Sequence, residues 1–514
     1  MIRYADLAAC GLAAKPSLIT FALPIVCRVE SEGFERKKLL DAVRSMCICG
    51  LANERCPAEL AERLEPLAQA IRAAGIIGGE WKPRETPAPW RLWSEGMEGA
   101  EGEPVLAAAL EAAGGRWIPA PANDGIDGGS MMQMHRAASL PVTAGGALMP
   151  DAHTGYGLPI GGVLAVRNAV IPYAVGVDIA CRMRLTVLDI PLEEFETHQE
   201  RFVEAIEMET RFGVGAKFER NELRSHAVLD ADWSFCTPLK ANRDRAVLQL
   251  GTSGGGNHFV EFGVLTLDKP CSEPGFTLEA GRRLALLSHS GSRGTGEAVA
   301  EHYSTLAMSM RPQLPAELRH LAWLDTDSEA GAEYWQAMQL MGRYASANHE
   351  LIHEHILKRL GAQAVAMVEN HHNFAWRETY DLGNGPEELI IHRKGATPAA
   401  KGVLGVVPGS MATPGFVVRG KGCEASFRSC SHGAGRRLSR KVAFQSLDRE
   451  AMHELLQSRG VRLLSGSLDE SPEAYKDILP VIAAQNDLID VLARFDPRLV
   501  KMAPEGKSPA WRKK

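Results

Sequence analysis

The chain has 514 residues, more than the ~100–200 of one ordinary domain, so we expect two or three folding units or one large core with an appendage. Hydrophobic residues make up 45% and charged residues 23%, which excludes wholesale disorder, and the net charge of −6 argues against a protein that coats DNA with a general basic surface. The ten cysteines, the short apolar runs and the absence of a signal pattern predict a cytoplasmic protein with reduced thiols and no membrane partner.

The spacing of apolar residues and glycines predicts the secondary structure. Three- and four-residue spacing over 34–47 and 58–74 predicts amphipathic helices, so residues 1–80 are interpreted as a small helical N-terminal extension. Residues 81–118 are rich in proline, glycine and tryptophan, which predicts a linker. Residues 119–514 are interpreted as one large α/β core with mixed sheets and helices. Within the core we predict strands in 119–187 and 388–422 and helices at 192–212, 297–310, 331–360 and 449–459.

Glycine-rich segments contain the histidines and cysteines that are hardest to explain as core packing. They are DAHTGYGLPIGG (151–162), GVDIACR (176–182), GTSGGGNHFVEF (251–262), SHSGSRGTG (288–296), ENHHN (369–373) and SCSHGAGRRLSR (429–440). A lone histidine is more often a satisfied core residue. An aspartate, a cysteine and several histidines together, however, form a ligand set suited to Mn²⁺, Zn²⁺ or Fe²⁺. Because a thiolate has lone pairs to bridge two cations, the pattern allows two adjacent metals.

A basic segment lies between Ile391 and Lys441, with ten basic residues and a single acid, Glu424. A solvated basic face is the simplest interpretation. The charges alternate, however, with the glycine turns PGSM (408–411) and HGAGR (432–436), whose free N–H groups can bind phosphate. A basic, glycine-rich region beside a metal-ligand set favours phosphate chemistry on a nucleotide or a nucleic acid.

The motifs together resemble those of the RtcB family of RNA ligases. The resemblance covers roughly residues 120 to 480, in order. It rests on MPDAHTGYGLPIGG (149–162), GVDIACR, GGNHFVE (255–261), HSGSRG (289–294), HHN (371–373), HRKGATPA (392–399), PGSM, HGAGRRLSR (432–440) and AYKD (474–477). It implies a GTP- and Mn²⁺-dependent enzyme that joins an RNA 3′-phosphate or 2′,3′-cyclic phosphate to a 5′-hydroxyl, in tRNA splicing or RNA repair.

The resemblance also implies roles for individual residues. His432 would form a covalent intermediate with GMP, one Mn²⁺ would bind Asp178, Cys181 and His258, and a second would bind Cys181, His289 and His372. The implied GTP contacts are Asn257, Phe259, Glu261, Asn373, Pro408, Gly409, Ser410, Met411, Gly433, Ala434, Gly435 and Tyr475. Our candidates for contacts to RNA phosphates are Lys394, Arg436 and Arg440. The need for an accessory activator protein is left open.

Three features depart from the family pattern. Gly415 stands where the family usually has a serine that contacts guanine, so base selectivity would depend more on other contacts such as Glu261. The family ends near a lysine that touches the nucleotide, and here both Lys501 and Lys507 remain open for that role. About 120 residues precede the matching part, and they either cover the core or bind RNA.

Parts of the sequence also fit two alternative functions. The segment HELIH places His349 and His353 one helical turn apart with Glu350 between them, which is the H-E-x-x-H pattern of zinc metalloproteases. Such a short pattern arises by chance, and the surrounding leucines and isoleucines indicate a buried helix. A non-catalytic RNA-binding protein is the other alternative; it would need the basic segment but not Asp178, Cys181 and His432 together.

Overall fold

The protein, for which we analyse a computed structural model, is described over residues 2–8, 10–12, 16–49, 58–73, 84, 86–112 and 125–505. Four helices form the N-terminal part, at Tyr4–Ala8, Pro16–Ser31, Arg36–Cys49 and Ala58–Ala73. Their buried side chains, from Ile2 to Ile71, make a hydrophobic cluster of their own. The predicted helices at 34–47 and 58–74 are thereby confirmed, and the separate cluster supports our proposal of a distinct N-terminal unit.

A six-stranded sheet begins before the expected core. Its strands, in spatial order, are Asn373–Asp381, Pro386–Lys394, Ile160–Val166, Thr143–His153, Trp90–Leu92 and Ala100–Glu101. The last two strands, and the helix Gly102–Ala112 that follows them, lie in the segment interpreted as a linker, so that interpretation is wrong for 90–112. The physical reason is burial of aromatic surface: Trp93 is fully buried and its indole N–H donates to Asp487 at 2.9 Å. Residues 81–83, 85 and 113–118 lie outside the described residues.

An eight-stranded sheet makes up the other large layer. Seven strands, in spatial order, are Ala364–His371, Arg182–Leu188, Gly281–Ser290, Phe259–Leu267, Ile489–Met502, Gly415–Gly420 and Leu404–Val407, and Arg462–Ser465 pairs with the fifth. Three two-stranded pairs complete the β-structure: Ala169–Val170 with Leu324–Asp325, Cys271–Glu273 with Phe276–Leu278, and Ala396–Pro398 with Ser429–Ser431. The predicted α/β fold with mixed sheets is confirmed.

Helices cover and connect the sheets. They span Gly128–Ala138, Pro172–Val175, Leu192–Thr197, Gln199–Glu209, Thr237–Gln249, Arg293–Met310, Glu329–Leu360, Arg440–Ser446, Arg449–Ser458 and Ile478–Ala483. The predictions at 297–310, 331–360 and 449–459 are confirmed. Among the described helices, none is both long enough and apolar enough to span a membrane.

The single helix predicted at 192–212 is wrong, because the structure divides it at His198. His198 has φ −125° and ψ 40°, outside the helical region. The hydroxyl of Thr197 donates to the carbonyl oxygen of Glu193 at 2.6 Å and lies 2.9 Å from the imidazole Nδ1 of His198. Local side-chain bonds of this kind compete with helix continuation, whereas apolar spacing continues across the break.

The basic segment is largely neutralised by acids from other parts of the chain. Arg393 pairs with Glu378, and Arg419 pairs with Glu273 and Asp490. Arg393 is 1% exposed, and its guanidinium also donates to the Ser429 hydroxyl at 2.7 Å and to the Phe427 carbonyl at 2.8 Å. Arg393 is therefore part of the internal structure, which a charge count along the sequence cannot show, whereas Lys401, Lys421, Arg437 and Lys441 of the same segment are exposed.

The burial of Arg393 predicts a large effect on stability. Arg393→Met should lower the free energy of unfolding by about 3 kcal/mol, because it leaves the Glu378 carboxylate without its partner in a mostly buried place. The matched control is Arg419→Met, which removes a half-exposed arginine and should cost less than about 1 kcal/mol. Urea denaturation of the three proteins measures both effects; equal shifts for the two variants would contradict the structural role of Arg393.

Candidate functional site

A cleft of about 1020 Å³ is lined by residues of both large sheets. The predicted ligand residues Asp178, Cys181, His258, His289 and His372 all lie near its floor, and all but one of them are buried. The cleft also contains His432 and all twelve residues predicted to contact GTP. The structure therefore brings segments more than 250 residues apart in sequence into one site.

The order of strands explains why these ligand residues meet. Four neighbouring strands of the eight-stranded sheet run antiparallel, so the end of one lies beside the beginning of the next. Cys181 and His258 immediately precede their strands, whereas His289 and His372 lie at or just after the ends of theirs. The register places His289 opposite both Phe259 and Met183. All four side chains therefore lie at the same edge of the sheet.

The donor atoms form two groups that share Cys181. Its Sγ lies 3.4 Å from Nε2 of His258 and 3.1 Å from Nε2 of His289. Asp178 Oδ2 is 3.0 Å from Nε2 of His258, and the Nε2 atoms of His289 and His372 are 3.3 Å apart. Within each group of three, the donor atoms lie within 4.8 Å of one another. A mixed set of carboxylate, thiol and imidazole at this spacing fits two adjacent divalent cations.

Contacts behind the donor atoms orient them. Nδ1 of His258 lies 3.1 Å from the Ser253 carbonyl oxygen, and Nδ1 of His289 lies 3.1 Å from that of Asn257. An Nδ1–H that donates to a carbonyl leaves the lone pair of Nε2 free for a cation. Asp178 accepts a bond from the backbone N–H of Ser292 at 3.2 Å. Between Asp178 and Cys181 the backbone of Ala180 has φ 58°, a strained conformation for alanine.

Burial sets the protonation of the cluster. Burial, and then the nearby His258, lower the pKa of His289 to about 3, and burial lowers the pKa of His372 well below its usual value. Burial and the charge on Asp178 raise the pKa of the Cys181 thiol well above 9.0. Burial opposes ionisation of Asp178 too, but its hydrogen bond to His258 and nearby positive charges lower its pKa. The imidazoles of His289 and His372 are thus neutral, as ligands must be, and a cation would favour loss of the thiol proton.

His432 is held by a residue to which the sequence analysis gave no role. Asp151, fully buried at the end of strand Thr143–His153, places Oδ2 2.6 Å from Nδ1 of His432. The same oxygen accepts the backbone N–H groups of His432 at 3.0 Å and Gly433 at 3.2 Å. Burial would raise the pKa of Asp151, but the charge and hydrogen bond of His432, together with Lys476, lower it. The carboxylate therefore fixes the ring so that Nε2 is its free nitrogen.

Two glycines make this arrangement possible. Gly435 has φ 74°, and a Cβ there would lie 2.0 Å from the carbonyl oxygen of Asp151. Gly395 has φ 63°, and a Cβ there would lie 3.2 Å from Cε1 of His432. The imidazole of His432 stands with its ring centroid 4.9 Å from that of His372. The sequence did contain a signal for Asp151, the DAH triplet, but its partner is 281 residues away.

All twelve predicted nucleotide contacts line the same cleft. They are Asn257, Phe259, Glu261, Asn373, Pro408, Gly409, Ser410, Met411, Gly433, Ala434, Gly435 and Tyr475. Glu261 is 5% exposed, and burial raises its pKa well above the usual value. Asn373 already has a structural role, because its side chain donates to the carbonyl of Asp178 at 3.3 Å and accepts the N–H of Gly395 at 2.8 Å.

Two of the departures from the family pattern, Gly415 and the C-terminal lysines, have different relations to the cleft. Gly415 lines the cleft, and a Cβ there would lie 3.2 Å from Cα of Pro408, so this position offers no hydroxyl and little room. Lys501 does not line this cleft; its ammonium pairs with Glu207 and lies 5.1 Å from the centre of the Phe212 ring, in a smaller pocket. Met502 occupies the cleft wall instead. Lys507 lies outside the described residues.

The three candidates for RNA-phosphate contacts line the cleft but already have protein partners. Lys394 donates to the carbonyl oxygens of Tyr156 at 2.5 Å and Leu158 at 3.0 Å, and burial lowers its pKa to about 7. Arg436 pairs with Glu470 at 3.2 Å, and Arg440 pairs with Asp469 at 2.8 Å and with Glu470. Two acids that the sequence analysis did not consider therefore fix both arginines at the rim of the cleft.

The zinc-protease hypothesis is wrong. His349 and His353 are buried and both contact the hydroxyl of Ser288, at 2.7 and 2.8 Å. Glu350 is half-exposed and lies 3.6 Å from His226, so it points away from the two imidazoles. The HELIH segment is part of the long helix Glu329–Leu360, and its histidines form a core hydrogen-bond network.

Comparisons with known proteins agree with the motifs. The model of the family described as tRNA-splicing ligase RtcB matches residues 133–244 and 234–502. The RNA-splicing ligase RtcB of Escherichia coli K12 is 33% identical over 375 residues, which cover 67% of this chain and 87% of the relative. The tRNA-splicing ligase RtcB of Nanoarchaeum equitans is 31% identical over 435 residues, covering 72% and 90%.

A third relative, the RNA-splicing ligase RtcB of Mycobacterium tuberculosis, is 32% identical over 430 residues, which cover 71% of this chain and 99% of the relative. The resemblance noted from the motifs is thereby confirmed. The chain belongs to the RtcB family.

Proposed function

We propose that this protein is a cytoplasmic RNA ligase that uses GTP and two Mn²⁺ ions to join an RNA 3′-phosphate or 2′,3′-cyclic phosphate to a 5′-hydroxyl. The observation that supports it most is the pairing of His432 with the buried Asp151. The ring centroid of His432 lies 4.9 Å from that of His372, one of the five residues of the ligand cluster. A non-catalytic RNA-binding protein would need neither the cluster nor the pair.

The first step is attack by His432 on GTP. The Nε2 lone pair forms a bond to the α-phosphorus, the bond between that phosphorus and the bridging oxygen breaks, and pyrophosphate leaves. Nδ1 keeps its proton in the 2.6 Å contact with Asp151, so positive charge that develops on the ring is balanced by the buried carboxylate. The product is a His432–GMP phosphoramidate.

The ligand cluster would hold the two cations. Asp178, Cys181 and His258 form one set, and Cys181, His289 and His372 form the other. Bound cations would neutralise phosphate charge and orient reacting oxygens. The donor set alone suits Zn²⁺ or Fe²⁺ as well, so the choice of Mn²⁺ rests on the family resemblance.

The later steps transfer the activated group and seal the RNA. A 3′-phosphate oxygen attacks the GMP phosphorus, and the bond to Nε2 of His432 breaks. The 5′-hydroxyl then attacks the 3′-phosphorus, GMP leaves, and a phosphodiester remains. A cyclic phosphate would first be opened by water to the 3′-phosphate. Lys394, Arg436 and Arg440 are our candidates for holding RNA phosphates, because all three line the cleft.

Glu261 is the side chain we assign to the guanine. It lines the cleft together with Phe259, Met411 and Met502, which are apolar. With glycine at position 415 and Lys501 directed elsewhere, the recognition of the base depends mainly on this carboxyl group. The aromatic ring of Phe259 provides a surface on which a purine can stack.

The first prediction in this section concerns the nucleophile. His432→Ala should abolish labelling of the protein by GTP with labelled α-phosphate, and sealing of 3′-phosphate and 5′-hydroxyl ends, because the attacking nitrogen is gone. It should still seal an RNA end already activated with GMP. The matched control is Glu350→Gln, whose carboxylate is half-exposed outside the cleft and whose loss should leave both activities unchanged. Labelling of His432→Ala at the wild-type rate would refute the mechanism.

The second prediction concerns the shared ligand. Cys181→Ala should lose both cations and His372→Ala only one, because the thiol belongs to both donor groups and His372 to one. Metal content is measured by mass spectrometry after loading with Mn²⁺ and desalting. Cys271→Ala, which replaces a buried cysteine outside the cleft, is the control and should retain both cations. Two cations retained in Cys181→Ala would disprove the bridge.

The third prediction concerns Asp151. Asp151→Asn should slow formation of His432–GMP on the order of 10²–10⁴-fold, since an amide cannot balance charge on the ring. Single-turnover labelling measures this rate. Sealing of a pre-activated RNA end should be much less affected, because His432 has no role in that step. An equal loss in both assays would mean that the substitution only disturbs the fold.

A further inference from the structure

The rim of the cleft includes an exposed aromatic side chain to which the proposed mechanism gives no role. Tyr156 lies between strands Thr143–His153 and Ile160–Val166, is 60% exposed and lines the cleft. Large aromatic side chains are among those that bury the most surface on folding. An exposed aromatic ring at the mouth of an active site is therefore a candidate contact for a ligand.

The position of Tyr156 relative to the reacting histidine follows from its backbone. Its carbonyl oxygen accepts the ammonium of Lys394 at 2.5 Å. The next residue after Lys394 is Gly395, which lies against the ring of His432. The strand that leads into the Tyr156 loop also contains Asp151, the partner of His432. Two connections therefore place the Tyr156 loop close to His432: one through Lys394 and Gly395, and one through Asp151.

Side chains on both sides fix the loop around Tyr156. Asp127 accepts the backbone N–H and the hydroxyl of Thr154, at 3.2 and 2.8 Å. The amide group of Gln133 donates to the carbonyl of Gly155 at 2.5 Å and accepts its N–H at 3.0 Å. Gly157 has φ 70°, and a Cβ there would lie 3.0 Å from a backbone oxygen of His320. The loop is therefore held in one conformation, so the ring is presented with little loss of entropy on binding.

Neighbouring rings support Tyr156 from the side. Its ring centroid lies 5.8 Å from that of His320 at an angle of 71°, and His320 contacts Tyr173 at 4.7 Å and 69°. These are edge-to-face contacts, which leave most of the tyrosine in solvent. Val177, half-exposed, also lines the cleft. Exposed aromatic surface in a cleft that also contains basic side chains is the combination that binds single-stranded nucleic acid.

We propose that Tyr156 stacks on a nucleobase of the single-stranded RNA next to the end being joined. This inference rests on the proposed function, because it takes RNA as the substrate. Stacking on an aromatic ring is tolerant of sequence, since every base has a flat face. The contact positions an RNA end in the cleft without selecting one particular base.

The test measures binding of short single-stranded RNAs by fluorescence anisotropy, without GTP. Tyr156→Ala should weaken binding on the order of tenfold or more, and Tyr156→Phe should bind about as wild type, because the ring remains. Leu479→Ala is the control, since Leu479 is also a half-exposed apolar side chain but does not line the cleft. Wild-type binding by Tyr156→Ala, or a loss in Tyr156→Phe as large as in Tyr156→Ala, would overturn the proposal.

An abasic scan identifies the partner base. RNAs with a 3′-phosphate or a 5′-hydroxyl, each with one base removed at successive positions, are compared on wild type and Tyr156→Ala. At one position near the end, loss of the base should weaken wild-type binding but not weaken Tyr156→Ala further. If every abasic RNA weakens both proteins equally, no base stacks on Tyr156.

A separate readout distinguishes this proposal from the proposed function. GMP transfer from GTP to His432 involves no RNA, so Tyr156→Ala should be labelled at the wild-type rate. If the wild type is labelled by GTP and seals RNA while Tyr156→Ala binds RNA normally, only the stacking proposal is overturned. If the wild type binds RNA through Tyr156 but is never labelled by GTP, only the ligase mechanism is overturned.

Discussion

A single residue, His372, separates a strand of one large sheet from a strand of the other. Strand Ala364–His371 belongs to the eight-stranded sheet and strand Asn373–Asp381 to the six-stranded sheet, so the chain changes sheets at this point. The crossing places one imidazole against the strand ends that contribute Cys181 and His289. Residues of both sheets line the cleft around it. Both the proposed cation site and the position of His432 depend on this geometry.

Burial gives the two halves of the site opposite electrostatic properties. On one side, the imidazoles of His289 and His372 are neutral and the Cys181 thiol is protonated, because burial lowers the pKa values of the two histidines and raises that of the cysteine. This side carries no charge that would oppose a bound cation. On the other side, Asp151 is a buried anion, held ionised by His432 and Lys476 against the effect of burial. An anionic substrate placed between them would be bound through cations on one side and through a histidine backed by a carboxylate on the other.

The sequence predicted the ligand residues and His432 because their motifs are long and specific, and it predicted most helices because apolar spacing is local. It could not predict Asp151 as the partner of His432, because nothing local links two residues 281 positions apart. The ion pairs of Arg393 and Arg419 could not be predicted for a related reason: their acidic partners come from other strands. The segment that contains Trp90 and Trp93 is rich in proline and glycine, which is typical of a linker. The short strand and the buried indoles that the structure shows there leave no periodic pattern in the sequence.

The same distinction between local and distant information explains the HELIH segment. A pattern of three residues describes one helical turn, but whether it binds a metal depends on what faces that turn. Here Ser288, on the strand that supplies His289, occupies the place where a cation would have to lie between His349 and His353. Successive residues of a strand point to opposite sides, so His289 faces the cleft and Ser288 faces the helix. One strand thus supplies a ligand for the site and the hydrogen bonds that fill the neighbouring core, and the apparent second metal motif is a consequence of packing.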